Sequence, residues 1–135
     1  MGSEPQFTAQ INSRNGVASI ALRGELDIAT VPDLEGHLAP FESNGVSAIM
    51  LDMRDLTFID SVALHSIVRA RERAKTKGQR LILVGPRPTA RRLFELTCTE
   101  YLLDDEETVG VLNRFVGSET REAGQSLAAY LNADA

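Results

Sequence analysis

A serine directly behind an aspartate is the place in this 135-residue chain best suited to chemistry. The stretch runs from Asp55 to Ala70, DLTFIDSVALHSIVRA. An apolar run, Leu56 to Ile59, stops at Asp60; Ser61 follows, and a helical pattern begins. Three roles fit Ser61: a first-turn helix residue with no further part, a nucleophile on a sharp turn, or a hydroxyl that another protein modifies. A nucleophile elbow needs Gly-x-Ser-x-Gly, but Ile59 and Ala63 stand at the glycine positions. A nucleophile also needs a base oriented by a third group. The chain has two histidines. His65 comes one helical turn after Ser61, which is the wrong geometry, and His37 falls on another predicted helix. Hydrolysis is therefore set aside, and the chain is not expected to be an enzyme.

The remaining two roles differ in what the helix end does. First-turn N–H groups lack helical partners, and the helix dipole is positive there. Asp60 fits as the cap that accepts one of those N–H groups. A phosphate on Ser61 adds a charge of about −1.5 to −2, which a helix N-terminus tolerates well. Nearby acids, Asp60 together with Asp27 and Glu25 of another loop, would feel that charge. Modification would therefore leave the fold intact and alter the surface. On the residues alone, the plain first-turn serine is the simpler reading.

Other reactive groups are sparse. Neither histidine has a cysteine or second histidine at ligand spacing, so no metal site is expected, and no cofactor. No Gly-rich phosphate loop appears, which disfavours a nucleotide sensor. Cys98 is the one cysteine, so no internal disulfide is possible and a reducing, cytoplasmic setting is expected. Packing or a helix end explains Cys98 better than redox chemistry. Net charge is −5, from 19 acids and 14 bases, which argues against nonspecific nucleic-acid binding. The bases that cluster, Arg69 to Lys77 and Arg87 to Arg92, read as helix ends and solvated faces. The 43% hydrophobic and 24% charged fractions are those of a globular domain with a real core. No apolar run approaches the ~20 residues of a membrane helix, and Met1 to Phe7 lacks a signal-peptide pattern.

The elements that must position Ser61 follow from periodicity. Phe7–Ile11 and Val17–Gly24 read as strands joined by the turn Asn12–Gly16, whose Asn-Gly favours a tight hairpin. Glu25–Thr30 is a loop. Thr30, Pro32 and Asp33 announce a helix, with Thr30 as its cap and Val31, Leu34, Leu38 and Phe41 on its apolar side. Val46–Met53 is a strand buried on both faces. A helix then runs from about Ser61 to Lys77, with Ala63, Leu64, Ile67, Ala70, Arg71 and Ala74 toward the sheet and His65 outside. Gln79–Gly85 is a further strand. Pro86–Thr97 holds a short helix, Glu100–Asp105 a very short strand, and Glu106–Phe115 a last helix. Gly117–Ala135 reads as a tail with at most a marginal helix from Ser118 to Leu131. Helices alternating with strands after a hairpin imply an α/β domain with a mixed sheet. Functional residues in such sheets gather at the C-terminal strand ends, here the loops Gly24–Thr30 and Phe58–Val62.

Three segments, in order, resemble the STAS family of sulfate transporters and anti-sigma factor antagonists. They are GELDIATVPDLEGHL (Gly24–Leu38), AIMLDMRDLTFIDSVAL (Ala48–Leu64) and GQRLILVGPRPTARRLFELTCTEYLL (Gly78–Leu103). The resemblance covers about residues 6 to 116. It implies a mixed sheet of four or five strands with about four helices, in one domain at 6–116, with a tail at 117–135. Stand-alone members are commonly antagonists that bind an anti-sigma factor, itself a serine kinase, and so free a sigma factor. The kinase phosphorylates the serine behind the motif aspartate, the complex dissociates, and a phosphatase resets it. By resemblance, Ser61 is the phosphoacceptor, and Glu25, Asp27, Thr30, Asp60, Ser61, Val62 and His65 form the partner surface. The family motif usually reads Asp-Ser-(Ser/Thr)-Gly; here Val62 and Ala63 fill the last two places. His65 replaces a small residue, and Cys98 a frequent glycine at a helix end. The competing function is a STAS subunit of a lipid-transport or stress-signalling complex that binds its partner without a phosphate cycle. Neither function requires nucleic acid or membrane insertion, and a monomer or weak dimer is expected.

Overall fold

A computed structural model of the chain describes residues 6–103. The expected helix Glu106–Phe115 and the tail Gly117–Ala135 lie outside the described residues. The elements run β1 (Phe7–Arg14), β2 (Val17–Leu26), α1 (Val31–Asn44), β3 (Ala48–Ile59), α2 (Ser61–Thr76), β4 (Arg80–Val84), α3 (Pro88–Leu96) and a short 3-10 helix (Glu100–Leu102). The very short strand expected at Glu100 is thus a 3-10 turn, and only Leu102 of it is buried. The four strands lie in sequence order, β1-β2-β3-β4. β1 pairs antiparallel with β2, whereas β2–β3 and β3–β4 are parallel. The mixed sheet is therefore as expected.

Asn15 and Gly16 alone make the hairpin turn, both at positive φ, 55° and 78°. That is the backbone twist two-residue hairpins need. β1 consequently runs three residues beyond the expected Ile11, to Arg14 opposite Val17. Both parallel crossovers are right-handed by rule, and they place α1 and α2 on one face of the sheet. There Leu34 and Leu38 of α1 and Ala63, Leu64, Ile67, Ala70 and Ala74 of α2 meet Ile20, Leu22, Ile49, Leu51, Leu81 and Leu83 in one apolar core. Phe94 of α3, fully buried, closes the same core.

Polar contacts fix α2 against α1. Ser66 is buried, and its hydroxyl donates to Glu35 Oε1 of α1 at 2.6 Å. Arg73 bonds both Glu35 (2.9 Å) and Glu42 (2.8 Å). The Glu42 bond and both nearby carboxylates hold its guanidinium above the usual range, against the effect of burial. Gln79 Nε2 donates to the Phe41 and Val46 carbonyls, joining the end of α1 to the entry of β3.

Cys98 sits at a helix end, exposed, with φ 57°. The Thr99 N–H bonds Phe94 O (2.8 Å) and the Cys98 N–H bonds Glu95 O (3.2 Å), the two bonds of a Schellman closure. The left-handed position normally belongs to glycine, and a side chain there costs about 1–2 kcal/mol. Cys98→Gly relieves that strain but adds unfolded-state freedom. A net gain of about 0.5–1 kcal/mol is expected in urea unfolding; a loss of stability would show that the thiol packs.

Candidate functional site

β2 and β3 are parallel, so both end at the same edge of the sheet, where Leu26 pairs with Ile59. Two register shifts, at Ala21/Arg23 and Gly24/Glu25, carry the strands past irregularities on the way. β2 therefore includes Glu25 and Leu26, which were expected in the loop. Leu26 and Ile59 face the core, so the preceding pair, Glu25 and Phe58, faces away from it. Phe58 remains 47% exposed.

The loop after β2 is held by its own polar groups. Asp27 Oδ1 accepts the N–H groups of Ala29 (3.0 Å) and Thr30 (3.1 Å). The Thr30 hydroxyl accepts the Asp27 N–H (2.9 Å) and donates to the Glu25 carbonyl (3.0 Å). Thr30 is the N-cap residue of α1 by position, but its side chain makes no cap bond. The expectation of a threonine cap is corrected on that point: the hydroxyl turns back into the loop. Thr30 is also only 8% exposed, so it shapes the loop and offers little surface to a partner. Asp27, too, is no free surface charge, because its carboxylate closes the turn.

Asp60 joins this loop to α2. Its Oδ1 accepts the Ala63 N–H at 2.8 Å, capping the helix as the sequence indicated. Its Oδ2 accepts the Ile28 N–H at 3.1 Å, from a residue 32 positions earlier. The Asp60 N–H in turn donates to the Leu26 carbonyl at 3.2 Å. One carboxylate thus satisfies an orphan helix donor and pins the neighbouring loop.

Ser61 and His65 are exposed, and Ala63 is buried. Around Asp60 the surface is apolar: Val62 is 44% exposed and Ile28 68%. Sequence reasoning singled out Val62 but passed over Ile28, a large apolar residue inside a polar turn. It also read Phe58 as one more member of an apolar run. The register shifts of β3 leave no regular alternation between Leu56 and Ile59 that could have separated it. Among the described residues, no group of His, Cys, Asp or Glu is arranged to hold a metal. No helix among them is long and apolar enough to cross a membrane.

A second polar feature lies beside the end of β4. An open hollow of about 450 Å³ is lined by Asp52, Arg54, Asp55, Gly85, Pro86 and Arg87. Its arginines are committed: Arg54 pairs with Asp52 (2.7 Å) and Arg87 with Asp55 (3.5 Å). Burial pushes the Asp52 carboxyl up, but the bonds and charge of Arg54 outweigh it and hold the group below its ordinary value. The hollow is therefore nearly neutral, and the Ser61 end of the sheet remains the stronger site.

A family model described as the STAS domain matches residues 8–108. The chain belongs to the STAS domain family. Among similar STAS proteins, the anti-sigma-B factor antagonist of Staphylococcus aureus (strain NCTC 8325 / PS 47) is 30% identical over 88 residues, 65% of this chain and 82% of the relative. The anti-sigma-B factor antagonist of Staphylococcus epidermidis is 27% identical over the same length. Two solved structures share the STAS fold. The anti-sigma factor antagonist SpoIIAA in its unphosphorylated form has a TM-score of 0.66 at 22% identity, over 84% of this chain and 100% of that one. A putative anti-sigma factor antagonist from Thermotoga maritima has a TM-score of 0.66 at 21% identity, over 75% of this chain and 90% of that one. At those identities the structures speak for the STAS architecture alone.

Proposed function

We propose that this STAS chain is an anti-sigma factor antagonist: a binding protein, not an enzyme, switched by phosphorylation of Ser61. Its partner is an anti-sigma factor that is also a serine kinase. The partner surface is the loop Asp27–Thr30 together with the start of α2. The observation that carries this reading is the Asp60 carboxylate, which bonds Ile28 and Ala63 and so makes the two loops one surface with Ser61 exposed on it. A phosphate there meets the positive end of α2 and leaves the fold standing. It also places charge in the middle of the contact area, where it disfavours binding. The name shared by the relatives supports the same reading.

The test is kinase treatment of the wild-type chain with ATP, followed by mass spectrometry and a binding titration. Ser61→Ala is expected to bind constitutively, and Ser61→Asp at least tenfold more weakly, both with unchanged unfolding. Ser66 is 1% exposed and already bonded to Glu35, so it is a poor acceptor. Thr57 is exposed, its hydroxyl donating to the Gly24 carbonyl. Phosphate on Thr57 with Ser61 bare would move the switch. No phosphate, with Ser61→Asp binding as wild type, would overturn it. Val62 favours a second reading in that event, a STAS subunit that binds through this face without a phosphate cycle, because the second motif hydroxyl is absent.

A further inference from the structure

We propose that Ile28 and Val62 are the apolar anchor of the partner interface, and that they seat in an apolar slot bordered by cationic side chains of the partner protein. The inference rests on the reading that this end of the sheet binds an anti-sigma factor, and it assigns the chemistry of that contact. Ile28 is 68% exposed and Val62 44%, so neither side chain is accounted for by the core. Both are nevertheless held in place. The backbone of Ile28 is bonded to Asp60, and the residues on either side of it lie in the turn closed by Asp27. Val62 lies in the first turn of α2, next to Ala63, whose N–H bonds the other oxygen of Asp60. A single carboxylate therefore sets the spacing between two exposed aliphatic groups. Anchors that lose little freedom on binding contribute most of what they bury.

The surrounding charge says what kind of surface meets them. From Glu25 to Leu38 the chain carries Glu25, Asp27, Asp33 and Glu35 and no lysine or arginine. From Asp55 to Val68 it carries Asp55 and Asp60 and no lysine or arginine; the first such residue, the exposed Arg69, stands two helical turns beyond Val62. Glu35 is engaged by Arg73 and Asp55 by Arg87, which leaves Glu25 and the exposed Asp33 at the rim. Complementary potential then requires cations around the partner's slot. The same acids oppose an anionic lipid surface. Ser61 precedes Val62 and enters the slot with it. A phosphate on Ser61 would have to be stripped of water in apolar surroundings, away from the rim cations.

The probes are the anti-sigma factor kinases encoded in the same genome, each titrated first against the wild-type chain. Ile28→Ser and Val62→Ser are each expected to weaken binding at least tenfold with no change in thermal midpoint. Ile28→Leu should retain most of the affinity. Asp33→Lys should slow association and flatten its dependence on salt. Wild-type affinity in both serine variants would overturn the anchor while leaving the antagonist reading intact, because wild-type binding is measured in the same series. Failure of the wild-type chain to bind any such kinase would overturn both. Sedimentation of the wild-type chain with phosphatidylglycerol vesicles, lost in Ile28→Ser, would overturn the protein slot in favour of a lipid surface.

Discussion

Gly24→Ala is expected to destabilise the domain by about 3–5 kcal/mol, the largest effect of a methyl group added at any of the described glycines. Gly24 lies in β2 at φ 101°, outside the range a side chain adopts without strain. A Cβ there would stand 2.0 Å from the Gln6 carbonyl oxygen and 2.9 Å from its carbon. Those atoms are backbone, so no rotamer change relieves the clash. β1 would have to move, and with it the bond from the Glu25 N–H to Gln6 O, now 2.7 Å. Strain of about 1–3 kcal/mol and one or two hydrogen bonds at about 0.5–1.5 each make up the total. Circular dichroism melting should show a midpoint lower by on the order of 10 °C. A loss below about 1 kcal/mol would mean that the first strand is free to shift. Such a shift would also displace Glu25 and the loop behind it.

Asp60→Ala should cost about 2 kcal/mol, from the lost helix cap (about 1) and the lost bridge to Ile28 (about 1). Asp60→Asn separates the two contributions. Its carbonyl oxygen can still accept the Ala63 N–H, but its amide then points a donor at the Ile28 N–H. About 1 kcal/mol should be lost, and the Ile28 amide should exchange with solvent faster while the first turn of α2 does not. Urea unfolding gives the sizes, and hydrogen exchange assigns them. Equal exchange at Ile28 in wild type and Asp60→Asn would show that the bridge carries no weight.

The hairpin, the α2 start at Ser61 and the buried strand β4 were all legible in the residues, because each is marked by local chemistry. Asn15-Gly16 permits positive φ, Asp60 caps, and the apolar positions of α2 recur at helical spacing. What was missed has a common cause. β3 was expected to stop at Met53 but continues to Ile59. Past Met53 its core-facing residues, Leu56 and Ile59, recur every third position, because register shifts break the two-residue alternation. β1 was cut short because residues 10–14 at the sheet edge are exposed and carry no apolar pattern. In the site, Asp60 could be placed as a cap from sequence, but its second bond could not. Ile28 is 32 residues away, and only the parallel register brings it near. Thr30 was misassigned because threonine before a helix usually caps it, whereas here the nearer Glu25 carbonyl takes the hydroxyl.

The parallel pairing of β2 with β3 has a consequence for how the chain assembles its candidate surface in time. Val17 must find Ala48, and Ile28 must find Asp60, across a complete strand–helix–strand crossover. Loop closure over such a span opposes pairing until α1 is packed, so these contacts form slowly compared with the β1–β2 hairpin. The joined surface exists only after the crossover is complete, because its two halves are adjacent only then. A nascent chain still short of Asp60 presents Ile28 and Asp27 without their frame. A partner that binds this end, as proposed, would thus meet only the finished fold and would draw the chain toward its native state by mass action.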